Sequence, residues 1–541
     1  MITVRGMKKW GPLGILAAAQ FLMVLDQAVM NVSISQLVDD LDTSVTAIQI
    51  VITLYSLVMA MFMITGGKIG DLVGRRRAFI IGLIIYGFGS ALTAVAPSVQ
   101  VLALGWSVLE GLGAALVLPA LAALIAGNYV DRDRSVAYAV IGGVAGAGIA
   151  VGPILGGWAT TELTWRVVFV GEVVVVAAIL AAMRLLKEAP GPKQRPRLDT
   201  VGSALSAIGL GLIVVGVLQA SSWGWIMPKN SPITILGFSL SPFLVGLGAF
   251  TLWLFVRWQK LRVERGTDPL IHLEILKIKP VRAGLQTMLA QNLILMGIFF
   301  TTPLYLQLVL GFNALETGIR MLPVSVGMLV ASIGGSWLAT KFAVRSIVRV
   351  GLITIVVAVV VLLSSIEPDL QGGMFGLAMG LLGVGMGLIA SQLGNVVQSS
   401  VDASGRSEAG GLQYTAQQLG SAVGVALIGA IVLSGLASNF ITRITDNPEV
   451  PAAVTEQATI SVSEGVSFVT ADQVRSTSLD LGIPTEITDQ VVADYEDAQL
   501  KALRVGLLAS VVIAAIALFF TKGLPSQKPD GDEKHSATAV D

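Results

Sequence analysis

Three acidic residues stand inside long apolar runs of this 541-residue chain: Asp26, Glu110 and Glu172. A carboxylate can take up and release a proton without any metal or cofactor, and here it has few competitors. The chain has no cysteine and only two histidines, His272 and His535, both outside the apolar runs. Thiolate chemistry, disulfides and imidazole relays or metal sites within those runs are therefore excluded. Asp26 lies about fifteen residues, or roughly 22 Å of helix rise, into its run. At that depth a charge costs about 2.5–3.5 kcal/mol to insert unless it meets a wet cavity, a partner or a proton. For each acid two roles stand side by side, proton or substrate binding and a structural hydrogen bond to a neighbouring helix. Glu110 is mid-run and cannot snorkel far, whereas Glu172 is shallow enough to reach outside water or pair with Arg166.

The elements that position these acids are membrane spans. With 54% hydrophobic and 13% charged residues, and a mean hydropathy of +0.79, the chain departs from soluble domains, which are about 25% charged. Apolar segments separated by polar breaks begin near residues 11, 47, 78, 99, 135, 165, 200, 238, 284, 315, 346, 371, 409 and 501, each long enough to cross a bilayer. Twelve spans is the alternative count, because Gly311–Thr317 is a short break and Trp223–Pro242 is a mixed stretch. Lys8, Lys9, Lys68, Arg75, Arg76, Arg77, Arg132, Arg134 and clusters at 187–197 and 257–282 fall on one side. The opposite side is nearly free of Lys and Arg, so the positive-inside rule predicts a cytoplasmic (inner) membrane protein with both termini cytoplasmic. The basic start, Met1–Trp10, reads as an uncleaved anchor. An acidic loop at 437–500 is expected outside, with Thr485–Leu500 amphipathic and leading into the last span. It is most simply a solvated cap, and the tail 522–541 has a disordered composition.

Between the second and third spans runs Gly67-Lys68-Ile69-Gly70-Asp71-Leu72-Val73-Gly74-Arg75-Arg76-Arg77. Its glycines allow a tight turn, Asp71 can face a helix start or an arginine, and three arginines anchor the loop at the inner surface. In the fifth apolar run Gly148, Gly152, Pro153, Gly156 and Gly157, with Gly142 and Gly146, form a small-residue stripe. Such a stripe lets helices approach closely, and the proline favours a kink.

The loop closely resembles the signature loop of the major facilitator superfamily, in which aspartate and basic residues form a network holding the outward-facing state. The stripe is similar to the antiporter motif of proton-driven exporters. Leu25-Asp26-Gln27-Ala28-Val29-Met30-Asn31 resembles the first-helix motif of the fourteen-helix drug:proton antiporter family. Two departures stand out. In the fourth-helix motif Ser107 and Glu110 occupy the places of the usual Arg and Gln, and Glu172 stands where the sixth-helix run usually has Asn. Lost cation and gained acids invite a cationic substrate or an altered proton path.

The resemblance implies an all-α membrane protein of the major facilitator fold, with two six-helix bundles and two additional transmembrane helices. Its divisions would be 1–186 for the first bundle, 187–283 for the linker with the added pair, 284–521 for the second bundle and 522–541 for the tail. Proton coupling and substrate binding are assigned to Asp26, Glu110, Glu172, Asn31 and Tyr55, and to Phe299, Phe300, Tyr305 and Gln307, whose stretch resembles the cavity-lining ninth helix. The other intramembrane amides, such as Gln392 and Gln398, are expected to join helices. The implied activity is proton-coupled export of amphipathic or cationic compounds by alternating access, of the multidrug efflux type, by a monomer. Its partners would be a small-molecule substrate, protons and the lipid bilayer, with no nucleic acid, no metal and no cofactor besides the proton motive force. An exporter of one endogenous solute, such as a basic amino acid, lipid or siderophore, and a non-transporting sensor or assembly partner are the alternatives. No nucleophile–base pair or metal-ligand set points to an enzyme.

Overall fold

The structure is a computed structural model and describes residues 4–129, 131–186, 197–229, 231–367, 370, 372–401, 406–447, 450, 468–480 and 482–527. Most of the 187–197 basic cluster, the middle of the acidic loop and the tail from 528 lie outside the described residues. Fourteen helices are long and apolar enough to cross a membrane. They are α1 (Trp10–Val32), α2 (Val45–Val73), α3 (Arg75–Ala94), α4 (Val99–Ile125), α5 (Gly143–Leu163), α6 (Arg166–Leu185) and α7 (Thr200–Leu218). The remainder are α8 (Leu240–Glu264), α9 (Lys279–Val309), α10 (Ala314–Leu338), α11 (Val344–Ser365), α12 (Gly372–Ser399), α13 (Glu408–Asp446) and α14 (Thr485–Gly523).

Helix is the form in which an apolar segment satisfies its backbone without water, and polar punctuation sets the ends. Ser44 accepts from the Ala47 amide before α2, Asp199 from the Gly202 amide before α7, and Asn313 and Glu316 cap α10 reciprocally. Large apolar side chains remain on the outward faces, Phe88 at 67%, Val330 at 63% and Ile333 at 68% exposure, which is where lipid would sit.

In the first bundle α1 packs on α5, α2 on α4, and α3 on α4 and α6. In the second, α10 and α11 pack on α12, α9 on α13, and α14 on α13. The bundles meet along α2–α13 and α5–α10, while α7 and α8 pair with each other and α7 rests on α2 and α13. Asp199 secures that pair at its basic end, accepting from Trp258 Nε1 at 2.9 Å and Gln259 Nε2 at 2.8 Å.

Close approach, both between the bundles and within the first, uses carbonyls that prolines set free. A proline cannot donate to the carbonyl four residues earlier. Pro153 thus releases the Ile149 carbonyl, which accepts from Ser325 Oγ of α10 at 2.9 Å. Pro119 does the same for Ala115, against whose carbonyl Gly66 of α2 is seated with no room for a Cβ. The helix runs through Pro153 without a break, from Asp131 to Trp158.

The acidic region departs from the sequence expectation of a loop from 437 at its start, where α13 continues as helix to Asp446, whereas Thr485–Leu500 is helical and runs into the last span as its amphipathic spacing predicts. The two extensions pack together through Phe440 and Tyr495, edge to face at 5.3 Å, and through Arg443–Asp497 at 2.9 Å. Buried apolar residues on both extensions, Ile444, Val491 and Val492 among them, supply the reason.

At the end carrying this acidic region the bundles are closed. Leu315 N donates to Thr161 Oγ1 at 3.2 Å, and Gly318 lies against the Pro153 carbonyl so tightly that a Cβ would overlap it. Because the chain lacks cysteine, Ser35→Cys with Gln307→Cys reports this closure by crosslinking, the parent side chains being 2.5 Å apart. We predict that Gly318→Val abolishes the crosslink and that Gly334→Val, whose Cβ meets nothing, leaves it intact.

Candidate functional site: a buried carboxylate cluster beside an uncharged cavity

α4 is not a uniform helix. From Ala103 to Glu110 it is π-helical, a local widening that often marks functional positions, and this turn carries Trp106, Ser107 and Glu110 into the first bundle. Trp106 stacks flat on Tyr55 of α2, ring centroids 4.5 Å apart and planes 2° from parallel. Its indole Nε1–H donates to Asp26 Oδ1 of α1 at 2.7 Å. Thr93 Oγ1 of α3 donates to Glu110 at 3.4 Å, and Ser90 Oγ and Tyr86 OH donate to Glu172 Oε2 of α6 at 3.0 and 3.3 Å. One oxygen from each of Asp26, Glu110 and Glu172 lies within 4.8 Å of the others. All three acids are buried, and among the described residues none is ion-paired.

Glycines make the cluster sterically possible. A Cβ at Gly89 would come 2.7 Å from Glu110 Cγ, and one at Gly105 would come 2.9 Å from the Thr93 amide. Ser107, standing where the resemblance leads one to expect arginine, donates instead to the Val51 carbonyl at 2.7 Å and pins α4 to α2. The second oxygens of all three acids and the Tyr55 hydroxyl are buried without a partner in the protein. Such a set of oxygens can share protons or hold a hard cation. The expectation of no metal ligands rested on missing cysteine and histidine, and these carboxylates fall outside that reasoning.

The reading in which Glu172 reaches outside water or pairs with Arg166 is corrected. Its side chain is 1% exposed because it points inward from α6 onto α3, and Arg166 turns away to Asp40 at 3.0 Å. Arg166 also donates to the Ala96 carbonyl at 3.0 Å, so it fastens the bundle's rim at the acidic end.

The glycine–arginine loop divides its work differently from the expectation. Gly67 and Gly70 belong to α2, where a Cβ at Gly67 would lie 3.5 Å from Pro119, and the turn falls to Gly74 at φ 100°. Asp71 pairs with Arg75 at 3.2 Å, one helical turn away in sequence spacing. Arg76 donates to the Met183 carbonyl at 2.9 Å, and Arg77 is exposed. Contact with the second bundle comes from a residue that the motif reading left without a role: Lys68 lies 3.9 Å from Glu408 of α13. Glu408 is shared with His272 Nδ1 of the linker at 2.8 Å.

The small-residue stripe of α5 has two faces. Gly148, Gly152 and Gly156 seat Val24, Ala28 and Val29 of α1, whereas Gly157 and Pro153 meet Ala314 and Gly318 of α10. α5 therefore clamps α1 on one side and the second bundle on the other.

Between the bundles lies a cavity of about 270 Å³, near the small end of the roughly 300–1,000 Å³ usual for ligand clefts. One face of α1 lines it with Gln20, Met23, Gln27 and Asn31. Across it stand Gln291, Met296 and Phe299 of α9 and Gln417 and Gln418 of α13. No charged side chain lines it among the described residues. Of the four α9 residues expected here, only Phe299 takes part. Phe300 turns behind the wall, its ring near Gly429, and the Tyr305 hydroxyl donates to the Glu367 carbonyl at 2.7 Å. Gln307 is a latch at the acidic end, donating to the Val32 carbonyl at 2.9 Å and accepting from Ser35. Phe300 follows Phe299 by one residue, about 100° round the helix, and Tyr305 and Gln307 lie on the π-helical stretch Leu304–Val309, whose winding is shifted from that of the helix carrying Phe299. Gln392 and Gln398 join helices, to the Gly335 carbonyl at 2.9 Å and to Gln413 at 2.6 Å.

Sequence reasoning missed Trp106, Tyr86, Ser90 and Thr93. Hydroxyl and indole groups on apolar helices carry no label of their own, and the one available signal was their position opposite an acid on a neighbouring span.

Fourteen membrane-length helices in two bundles around a central cavity define a multi-pass membrane protein of transporter architecture. The chain belongs to the major facilitator superfamily, whose model matches residues 16–425. It is 30% identical over 504 residues to the "Probable actinorhodin transporter" of Streptomyces coelicolor, covering 90% of this chain and 79% of that protein. It is 26% identical over 528 residues to the "Tetracenomycin C resistance and export protein" of Streptomyces glaucescens, covering 96% and 93%. The fold is similar to the crystal structure of a bacterial homolog of the human lysosomal transporter Spinster, at a TM-score of 0.61 and 14% identity, covering 96% of this chain and 98% of that one.

The Trp106–Asp26 bond is directly testable. Trp106→Phe keeps an aromatic ring against Tyr55 but removes the donor, leaving a buried acceptor unpaired at a cost of about 1–3 kcal/mol. We expect a lowered unfolding midpoint in detergent, and no change would show that this bond carries no stability.

Proposed function

We propose that this protein is a proton-coupled exporter of amphipathic small molecules, working by alternating access in the cytoplasmic membrane with both termini cytoplasmic. The observation that carries the reading is the cluster of Asp26, Glu110 and Glu172, with oxygens within 4.8 Å of one another and no cation paired to them among the described residues. Like charges this close resist joint ionisation, so the cluster holds protons whenever it is sealed and gives them up when water reaches it. Asp26 is the coupling residue, because α1 also carries the cavity face formed by Gln20, Gln27 and Asn31. Glu110 and Glu172 tune how many protons the cluster keeps. The reading needs no cofactor beyond the proton motive force. That one relative described above is named a transporter and the other a resistance and export protein supports the outward direction and a small-molecule cargo, in keeping with the multidrug efflux type.

In the cycle, protons enter the cluster from the acidic end and leave towards the basic end, and their departure makes α1 favour loading of cargo from the cytoplasm or inner leaflet. The closure seen at Ser35–Gln307 and Gly318–Pro153 is the outer gate of this cycle. Lys68–Glu408 is the inner tie.

Proteoliposomes holding an imposed pH gradient test the reading with a panel of neutral and cationic amphipathic dyes. At least one dye is expected to collapse the gradient, with Asp26→Asn slowing the flux about 100-fold, the scale of a lost proton-transfer group. Flux driven by a sodium gradient instead would reassign the cluster to a metal cation. No flux from folded protein would favour a sensor or assembly partner.

A further inference from the structure

Each acid of the first bundle has one oxygen held by neutral donors and a second left over. Trp106 donates to Asp26 Oδ1, Thr93 to Glu110 Oε1, and Ser90 and Tyr86 to Glu172 Oε2. Asp26 Oδ2, Glu110 Oε2 and Glu172 Oε1 are buried without a partner in the protein. Carboxylates pinned through one oxygen and open at the other are how surroundings orient ligands for a metal. A fourth oxygen, independent of the acids, joins them. Tyr55 is 1% exposed, its ring lies flat on Trp106, and its hydroxyl stands beside Asp26 with no hydrogen-bond partner.

Three oxygens no more than 4.8 Å apart surround a centre at most about 2.8 Å from each, and a slight inward movement brings them to the 2.3–2.6 Å at which calcium binds oxygen. An all-oxygen ligand set selects hard cations over zinc, copper or iron. Magnesium fits poorly, since it demands oxygens at about 2.0–2.1 Å and keeps several waters. Burial does not exclude an ion, because a site that passes one across a membrane is closed to water at some stage. Asp26 and Glu172 lie six residues, about 9 Å of rise, from the ends of α1 and α6 at the acidic end. None of the three acids lines the cavity between the bundles, so an ion here and a molecule there occupy different places.

We propose that Asp26, Glu110, Glu172 and Tyr55 form a binding site for one hard metal cation of calcium or sodium size, taken up in exchange for protons on the same oxygens. Ligating carboxylates must be ionised, so the cation and the protons exclude one another. This goes beyond the exporter reading, because the ligand set is the same whatever the cargo. Glu110 and Glu172, the two acids that depart from the resembled motifs, supply two of the three carboxylates, so the site belongs to this chain and not to the superfamily at large.

Equilibrium binding of radiolabelled calcium and, separately, sodium tests it, using the purified full chain stripped with a chelator in nanodiscs of uncharged lipid, with choline holding the ionic strength. Saturable binding of one ion per chain is expected for at least one of the two. Tyr55→Phe keeps the ring on Trp106 and removes one ligand, and is expected to weaken that affinity about tenfold, with Glu172→Gln weakening it further. No saturable binding of either ion overturns the proposal. Equal affinity in the parent and in whichever variants fold also overturns it, by placing the ion on the exposed acids of α13 and α14. Proton flux in proteoliposomes without metal binding here would leave the exporter reading standing and remove this site, and metal binding without proton flux would do the reverse.

Discussion

A carboxylate taken out of water with no cation beside it must be held by neutral donors, and that constraint organises the first bundle. The indole of Trp106 at 2.7 Å from Asp26 is the shortest of these contacts in the cluster, with Ser90, Tyr86 and Thr93 completing it. Neutral donors tolerate a carboxyl group in either protonation state, because one oxygen can accept whether or not the other carries a proton. An arginine in the place of Ser107 would hold the cluster ionised. Its absence leaves the three acids to settle their charge among themselves and with protons from outside.

On the proposed reading such a device acts only if it moves a wall that cargo feels, and α1 is placed to be that wall. One face carries Asp26 to Trp106, a second lines the cavity, and a third is seated on Gly148, Gly152 and Gly156 of α5. α5 in turn meets α10 through Gly157 and the carbonyls of Pro153 and Ile149. A shift of α1 is thereby passed to the second bundle through backbone contacts with almost no flexible side chain between them. Small residues and prolines are the means, since only they bring two helix backbones this near in an apolar medium.

Closure at the acidic end and the tie at the basic end differ in chemistry. The former uses neutral hydrogen bonds and van der Waals overlap, at Gln307, Ser35 and Gly318, while the latter uses Lys68, Glu408 and His272 where water is close. At 3.9 Å the Lys68–Glu408 pair is long for an ion pair, and on the proposed reading it is the contact that parts when this end opens to load cargo.

Read alone, the residues determined that this is a multi-span membrane protein with fourteen apolar runs, twelve spans being the alternative count, which runs carry acids, and that the Gly67–Arg77 and Gly148–Gly157 runs resemble motifs of one superfamily. Those features are one-dimensional: hydropathy over about 20 residues, the distribution of Lys and Arg, and short runs of fixed spacing. Three-dimensional packing decided that Asp26, Glu110 and Glu172, from three different helices, meet within 4.8 Å, that Glu172 is sealed although shallow, and that Phe300, Tyr305 and Gln307 turn from the cavity. Helical phase is the physical reason. A side chain's direction depends on where a π-turn or proline shifts the winding, as at Ala103–Glu110 and Leu304–Val309, and no count along the chain reveals a shift set by the neighbour across the bundle.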